Sequence, residues 1–158
     1  MSLTAPTPLD ASHNLDYFHC SAPALTRWLR ERAHQNQASG ASRCFVVCDA
    51  QRSIVGYYAL AAGSVALDVA PGRIRRNMPD PIPVIVLGRL AVHADWMGQG
   101  VGRGLLKDAV LRTLQASEQI GARALLCHAI DEPAKAFYMK HGFHASPIHE
   151  MTVMLPLR

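Results

Sequence analysis

The segment Met97–Leu106, MGQGVGRGLL, has glycine at four alternate positions and then continues into a helical pattern. Glycine inside a regular element costs about 0.5–1 kcal/mol relative to alanine, so a group of four needs a physical reason. The usual reasons are a turn that a Cβ would obstruct and a ligand that approaches the main chain closely. We therefore expect this segment to be a binding loop that leads into a helix.

The sequence around this loop alternates between helical and strand patterns. Apolar residues at helical spacing from Val101 indicate an amphipathic helix that ends before Gly121. The apolar run at 84–92 is typical of a central strand that is covered on both faces. The other predicted elements are a helix at 24–37, an antiparallel hairpin at 43–49 and 53–65, a loop or short irregular helix at 67–83, a strand at 123–128, a helix at 131–140 and a strand at 151–155. This order predicts a mixed α/β sheet in a single domain that spans residues 1–158.

The composition agrees with one globular domain. The chain has 158 residues, of which 49% are hydrophobic, and this is enough to bury a substantial core. It shows neither a signal-peptide pattern nor a run of the ~20 apolar residues that span a membrane, so we expect a cytoplasmic protein. No C-x-x-C pair or zinc-type histidine spacing occurs, so we predict no metal site. We expect buried free thiols at Cys20, Cys44, Cys48 and Cys127.

The net charge of +4 is distributed unevenly along the chain. Arg73, Arg75 and Arg76 crowd one segment, between a Pro-Gly pair and the sequence NMPDPIP. A basic cluster of this kind is most often a solvated face. The alternative is a phosphate-rich partner that is held by arginine–phosphate pairs and counterion release. The residues alone leave both interpretations open.

Two common nucleotide-binding motifs do not fit the glycines. The dinucleotide pattern G-x-G-x-x-G requires glycine where Arg103 stands if it is counted from Gly98, and where Leu105 stands if it is counted from Gly100. No glycine has the spacing and the Lys-Ser/Thr pair of a Walker-type loop. What remains is a general anion cradle, in which successive N–H groups and the positive end of the helix dipole face a phosphate.

The loop resembles the signature of the GNAT superfamily of acetyl-CoA-dependent N-acetyltransferases, which is Gln or Arg, two residues, Gly, one residue, then Gly or Ala. The matching positions are Met97, Gly100 and Gly102, so the last two fit and the first does not. AFYMKHGF at residues 136–143 is similar to a second block of the superfamily, a helix with Phe-Tyr followed by His-Gly-Phe. The resemblance implies a GNAT-like acyltransferase domain with acetyl-CoA as its co-substrate.

The same resemblance implies roles for particular residues. Backbone amides of the glycine loop would hold the pyrophosphate, main-chain groups at the end of the central strand would meet the pantetheine arm, and Tyr138 would lie beside the thioester sulfur. Asp131 is also expected to cap the helix at 131–140. The candidate cofactor-binding residues are Leu90, Ala91, Val92, Gln99, Gly100, Val101, Gly102, Arg103, Gly104 and Asp131.

Attack of an amine on a thioester requires a neutral amine and a proton for the departing thiolate. Tyr138, whose unperturbed pKa is about 10, can donate that proton at neutral pH. An α-amino group with a pKa of about 7.7–8 needs far less help to be neutral than a lysine at about 10.4, so no dedicated strong base is required. His93 is an alternative base, but we favour a hydrogen-bonding or solvated role for it at the strand end.

A closer resemblance is to the tRNA-acetylating toxins of bacterial toxin–antitoxin pairs. It is carried by NQASGASRCFVVC, PGRIRRNMPDPIPVIVLGRLAV, GQGVGRGLLKDA and FYMKHGF, within blocks that run from about residue 23 to the C-terminus. It implies aminoacyl-tRNA as the substrate, inhibition of translation, an antitoxin of the ribbon-helix-helix type and a homodimer. Under this hypothesis the substrate phosphates would be met by Arg73, Arg75, Arg76 and Arg89.

Two other functions are compatible with the sequence. A GNAT enzyme that acetylates a small amine or a protein N-terminus would share the glycine loop but would not need the arginine cluster. A non-catalytic module that binds nucleic acid or an antitoxin would explain the charge but would leave Tyr138 without a purpose. Thermal stabilisation by acetyl-CoA distinguishes this last alternative from the enzymes.

Overall fold

Seven strands form one mixed sheet in the computed structural model, which describes residues 3–158. The strands are β1 (Thr7–Pro8), β2 (Arg43–Cys48), β3 (Ile54–Val65), β4 (Ile82–Val92), β5 (Ala124–His128), β6 (His144–Ala145) and β7 (Thr152–Pro156). The helices are α1 (Pro23–Glu31), α2 (Ala33–Ser39), α3 (Gly72–Arg75), α4 (Val101–Ser117) and α5 (Glu132–Lys140), with 3₁₀ turns at Leu67–Val69 and Ala94–Trp96. The strand order is β1-β2-β3-β4-β5-β7-β6, which confirms the predicted mixed sheet with β4 inside it.

The chain divides into two compact units. Unit 1 contains the described residues up to Ala61 together with Arg89–Ala109, and unit 2 contains Ala62–Gly88 together with Val110–Arg158. The prediction of a single domain over residues 1–158 stays a prediction.

Unit 1 contains the predicted hairpin. β2 and β3 pair antiparallel, with Arg43 opposite Leu60 at one end. In the connecting turn the Asp49 carboxylate accepts the N–H groups of Gln51 and Ser53, each at 3.0 Å. The carboxylate takes the place of a backbone carbonyl as the acceptor for these N–H groups and so stabilises the short turn between the two strands.

Gly56 on β3 fixes how closely α4 lies on the sheet in unit 1. A Cβ at this position would lie 2.9 Å from Leu105 Cδ1 and 3.0 Å from Val101 Cγ1. Both distances are shorter than van der Waals contact, so only glycine allows the first turns of α4 to pack here. The start of α4, directly after the glycine loop, is therefore held against β3.

Unit 2 is built on β5. Residues of β5 pair in parallel with Val84, Ile85 and Val86 of β4, and β5 pairs antiparallel with β7. The core of this unit includes the fully buried Ile74 and Ile82. Its helix α5 begins as predicted, because the Asp131 carboxylate accepts the Ala134 N–H at 2.8 Å and a proline occupies the first turn. Gly142, at φ 95°, lies two residues after the last residue of α5, where helix-terminating glycines commonly occur.

The prediction of one helix at 24–37 was wrong. The helix breaks at Arg32, whose φ of −123° and ψ of −26° lie outside the helical range. After the break, the Gln37 side chain accepts the Cys44 N–H at 2.8 Å and donates to the Leu9 carbonyl at 3.4 Å. These tertiary hydrogen bonds stabilise the chain after the break, which the spacing of apolar residues does not predict.

Two strands were not predicted, because β1 and β6 have two residues each and show no alternation. Three of the four cysteines are buried as expected, whereas Cys20 is half-buried. Among residues 3–158, every helix is too short or too polar to cross a lipid bilayer.

Candidate active site

The glycine loop in unit 1 is a turn that only glycine forms without strain. Gly98 has a φ of 75° and Gly100 a φ of 82°, and both values lie in the left-handed region. The first helical hydrogen bond after them runs from the Gly104 N–H to the Gly100 carbonyl at 3.0 Å. The N–H groups before Gly104 belong to the first turn of α4, where no intrahelical acceptor exists. The loop thus presents main-chain donors and the positive end of the helix dipole together.

The protein leaves space on the outer side of this turn. Gln99, Gly100, Arg103 and Gly104 are exposed. A Cβ on Gly104 would meet no atom within 4 Å, so no contact inside the protein requires glycine at that position. The Val101 side chain is buried, and its main chain alone is available to a ligand. A pyrophosphate fits this arrangement because it binds through backbone amides and needs close access to them.

The last residues of β4 supply the next group of candidates in unit 1. Leu90 and Val92 are half-buried, and Ala91 is buried. The pairing of β4 with β5 ends at Val86 and does not involve these three residues. Main-chain groups at the end of a strand suit an extended ligand arm, which can pair with them as another strand would.

His93 has no ring nitrogen left for proton transfer. Nδ1 accepts the Asp95 N–H at 2.9 Å, and Nε2 lies 3.0 Å from the Tyr17 carbonyl, to which it must donate. The residue is fully buried and its ring stacks on Tyr17 at 4.2 Å. This geometry corresponds to the hydrogen-bonding role expected at the strand end.

One group of side chains in unit 1 has the proximity that a metal site needs. Potential ligand atoms of His19, His93 and Asp95 lie within 4.8 Å of one another. The Nδ1 lone pair of His93 is already used by the Asp95 N–H, so a cation there would displace a structural hydrogen bond. We assign no metal to this group, and the absence of a metal site stays a prediction.

Tyr138 lies in unit 2, on the last turns of α5. It is 5% exposed and packs against Phe137 at 5.4 Å and Phe143 at 5.3 Å between ring centroids. Burial raises the pKa of Tyr138 above its ordinary value, and the neighbouring Cys127 raises it further by charge and by a side-chain hydrogen bond. Burial also raises the pKa of the Cys127 thiol to about 11. Both groups therefore keep their protons at neutral pH.

The arginine cluster of unit 2 is exposed around a single buried residue. Arg73 and Arg75 lie on α3, and Arg76 follows its last residue. Ile74, between them, is fully buried. The cluster is therefore attached to the core of unit 2 and is not a free loop.

Arg89 has a different environment, in unit 1. It is half-buried, and its guanidinium lies 4.6 Å from the centroid of the Trp28 ring. Trp28 in turn stacks on the buried Tyr57 at 5.8 Å, with 11° between the ring planes. Arg89 is therefore held as a planar cation on an aromatic surface.

The family model described as "Acetyltransferase (GNAT) domain" matches residues 40–145, which is more than half of the chain. The chain belongs to the GNAT acetyltransferase family. It is 47% identical over 155 residues to a tRNA-acetylating toxin of Mycobacterium tuberculosis (strain ATCC 25618 / H37Rv), with 98% of this chain and 93% of that protein covered.

Two solved structures are similar to this one over nearly the whole chain. AtaT complexed with acetyl-methionyl-tRNAfMet has a TM-score of 0.90 and 28% identity, with 98% of this chain and 95% of that chain covered. A tyrosine-to-phenylalanine variant of the AtaT toxin, bound to the C-terminus of the antitoxin AtaR and acetyl-CoA, has a TM-score of 0.83 and 27% identity. That comparison covers 98% of this chain and 93% of the AtaT chain. Both the GNAT fold and the acetyltransferase class predicted from the glycine loop are confirmed.

Sequence reasoning missed three features of this GNAT acetyltransferase. The hydrogen bond between Cys127 and Tyr138 joins residues on β5 and α5. The Arg89–Trp28 contact joins β4 and α1. The Arg123 side chain donates to two carbonyls of α3. All three are tertiary contacts that no local motif marks.

Proposed function

We propose that this chain transfers the acetyl group of acetyl-CoA to the α-amino group of an aminoacyl-tRNA, which removes that tRNA from peptide elongation. The observation that carries the proposal is the 47% identity to a tRNA-acetylating toxin over 98% of the chain. The fold is also similar, at a TM-score of 0.90, to that of AtaT complexed with acetyl-methionyl-tRNAfMet.

The glycine loop is proposed to bind acetyl-CoA through its main chain. The residues are Gln99, Gly100, Val101, Gly102, Arg103 and Gly104 for the pyrophosphate, and Leu90, Ala91 and Val92 for the pantetheine arm. The left-handed glycines and the open space beside Gly104 support the first assignment. Asp131 is the remaining candidate, although its carboxylate already caps α5.

Tyr138 is proposed as the general acid. The neutral amine attacks the thioester carbonyl, the new C–N bond forms, the C–S bond breaks, and the sulfur takes the hydroxyl proton of Tyr138. The excess proton on nitrogen passes to solvent, and Tyr138 regains its proton from solvent after CoA leaves. Solvent suffices as the base because the acceptor is an α-amino group of low pKa. Because burial raises the pKa of Tyr138, its hydroxyl is protonated throughout the neutral range, so the proton is present when the thiolate departs.

Recognition of the tRNA is proposed to rest on Arg73, Arg75 and Arg76, with Arg89 as a further contact. The first three are exposed cations on one short segment, as phosphate contacts require. Replacing Arg75 and Arg76 by alanine should weaken tRNA binding and flatten its salt dependence while the affinity for acetyl-CoA is unchanged.

The partners of the chain follow from the same proposal. We propose an antitoxin of the ribbon-helix-helix type and a homodimer that acts in the cytoplasm. The similarity to the AtaT toxin bound to the C-terminus of the antitoxin AtaR supports the antitoxin.

The experiment that tests the function uses purified protein, radiolabelled acetyl-CoA and total aminoacylated tRNA. Label that enters the RNA and is released by mild alkali supports the proposal, because alkali cleaves the aminoacyl ester. Absence of label, together with measured binding of acetyl-CoA, would favour a small amine or a protein N-terminus as the acceptor. Sorting the labelled tRNAs by amino acid then gives the specificity.

A pair of tyrosine variants tests the acid within the same assay. Tyr138→Phe should lower turnover by about 10²- to 10⁴-fold and leave the affinity for acetyl-CoA intact, since it removes only the donated proton. Tyr17→Phe makes the same chemical change at a half-buried tyrosine of unit 1 and should retain wild-type turnover. Equal turnover in the two variants would exclude Tyr138 as the acid.

A further inference from the structure

The helix that carries the arginine cluster is too short to be stable alone. α3 has four residues, and its first residue follows Pro71 without a side-chain cap. Isolated helices need about 12–15 residues to be even marginally stable in water. The position of Arg73, Arg75 and Arg76 therefore depends on contacts that α3 makes with the rest of unit 2.

Arg123 makes the most direct of these contacts. Its Nε donates to the Ile74 carbonyl at 3.0 Å, and its Nη2 donates to the Arg73 carbonyl at 3.1 Å. Carbonyls at the C-terminal end of a helix lack intrahelical partners and carry the negative end of the dipole. A guanidinium satisfies two of them at once because its donors form a rigid planar fork.

Arg123 is itself held firmly by its main chain. Its N–H donates to the Pro83 carbonyl at 2.8 Å, and its carbonyl accepts the Leu157 N–H at 3.1 Å. It immediately precedes β5, which pairs with its neighbours at Ala124. The guanidinium thus links α3 to a fixed point of the unit 2 sheet.

Two further contacts fix the segment around α3. The Ser146 hydroxyl donates to the Val69 carbonyl at 2.5 Å, and the Asp80 carboxylate accepts the Leu67 N–H at 3.0 Å. These contacts lie before and after α3 in the chain. They hold the segment on either side of α3, whereas the Arg123 side chain contacts α3 itself, which carries Arg73 and Arg75.

We propose that Arg123 is a positioning residue for RNA binding, which holds α3 in one conformation so that its arginines are arranged before the substrate arrives. The proposal rests on the proposed function, in which Arg73, Arg75 and Arg76 contact the tRNA. A preformed cationic surface avoids the entropy cost of ordering several long side chains and their backbone during binding. Without Arg123, the entropy cost of ordering these side chains and their backbone would weaken the binding of the tRNA.

The test compares Arg123→Ala, Arg123→Lys and the control Arg158→Ala. Arg158 also lies in unit 2 and donates to a helix-end carbonyl, that of Ser117 at 3.3 Å, so its loss removes the same charge and a similar hydrogen bond elsewhere. Arg123→Ala should raise the KM for aminoacyl-tRNA about 10-fold and leave the KM for acetyl-CoA unchanged. Arg123→Lys should behave like the alanine variant, because a single ammonium lacks the planar fork that reaches both carbonyls.

Two results would overturn the proposal. A wild-type KM for tRNA in Arg123→Lys would show that charge alone matters, as expected of a direct phosphate contact. A wild-type KM in Arg123→Ala would show that α3 needs no such support. Arg158→Ala is expected to keep the wild-type KM for both substrates.

Hydrogen exchange separates failure of this proposal from failure of the proposed function. The amides of Arg75 and Arg76 donate to Pro71 and Gly72 in the native protein, and they should exchange faster in both Arg123 variants. This readout needs no RNA, so it stands even if the wild-type enzyme acetylates a different acceptor. Unchanged exchange at these amides would refute the positioning role directly.

Discussion

Replacing Gly104 by alanine should make the protein more stable and a poorer binder of acetyl-CoA. Gly104 is the fourth residue of α4, is exposed, and would place its new Cβ where no protein atom lies within 4 Å. Alanine in a helix is favoured over glycine by about 0.5–1 kcal/mol. The midpoint of thermal unfolding should therefore rise by about 1–4 °C in the absence of ligand.

The same methyl group obstructs the space in which we place the pyrophosphate. Forcing an additional methyl group into a filled site costs about 1–3 kcal/mol. That cost corresponds to an affinity about 5- to 150-fold weaker. One substitution should therefore raise the stability and weaken the binding, because the added Cβ meets no protein atom within 4 Å but would meet the pyrophosphate in the proposed complex.

Thermal unfolding and isothermal titration with acetyl-CoA measure the two effects separately. Gly121→Ala is the matched control, since Gly121 is also exposed, has no atom within 4 Å of its added Cβ, and lies in unit 2 outside the glycine loop. Its Kd for acetyl-CoA should be that of the wild type. A Gly104→Ala protein with a raised unfolding midpoint and an unchanged Kd would remove this turn from the binding site.

Three further predictions follow from the geometry. The kcat/KM for aminoacyl-tRNA, measured from pH 6 to pH 9, should rise as the acceptor amine loses its proton and then stay level, because burial raises the pKa of Tyr138 and keeps its hydroxyl protonated. A fall in kcat/KM before pH 9 would contradict the assignment of Tyr138 as the acid. Arg89→Lys should bind aminoacyl-tRNA as weakly as Arg89→Ala in filter-binding assays, since lysine lacks the planar group that stacks on Trp28; wild-type affinity in the lysine variant would indicate a simple phosphate contact. Gly56→Ala should lower the free energy of unfolding in urea by about 1–3 kcal/mol, because its Cβ would lie 2.9 Å from Leu105 Cδ1; an unchanged value would mean that α4 shifts freely.

Elements with a local physical cause could be predicted from the sequence. The strand at 84–92 was predicted because its apolar run needs burial on both faces, and the structure has β4 at Ile82–Val92. The bounds of α5 were predicted from the capping carboxylate of Asp131 and from Gly142 after its end. In each case the residues that specify the element lie within it or beside it.

Features that depend on distant residues could not be predicted in this way. The break at Arg32 follows from the hydrogen bonds of Gln37 to Leu9 and Cys44, which no helical period encodes. The same holds for Arg123, whose main chain lies next to β5 and whose side chain acts on α3. Motifs therefore nominate the candidate residues, whose roles stay predictions, whereas no motif indicates the contacts that orient them.

The mismatch at Met97 indicates which part of the GNAT signature is physically necessary. Its side chain is 64% exposed, while the following Gly98 and Gly100 adopt positive φ values that other residues rarely take. A phosphate bound by main-chain amides requires this backbone path, which a side chain at the first position does not shape. Keeping Gly100 while losing the glutamine or arginine therefore preserves the signature position whose backbone conformation shapes the cradle.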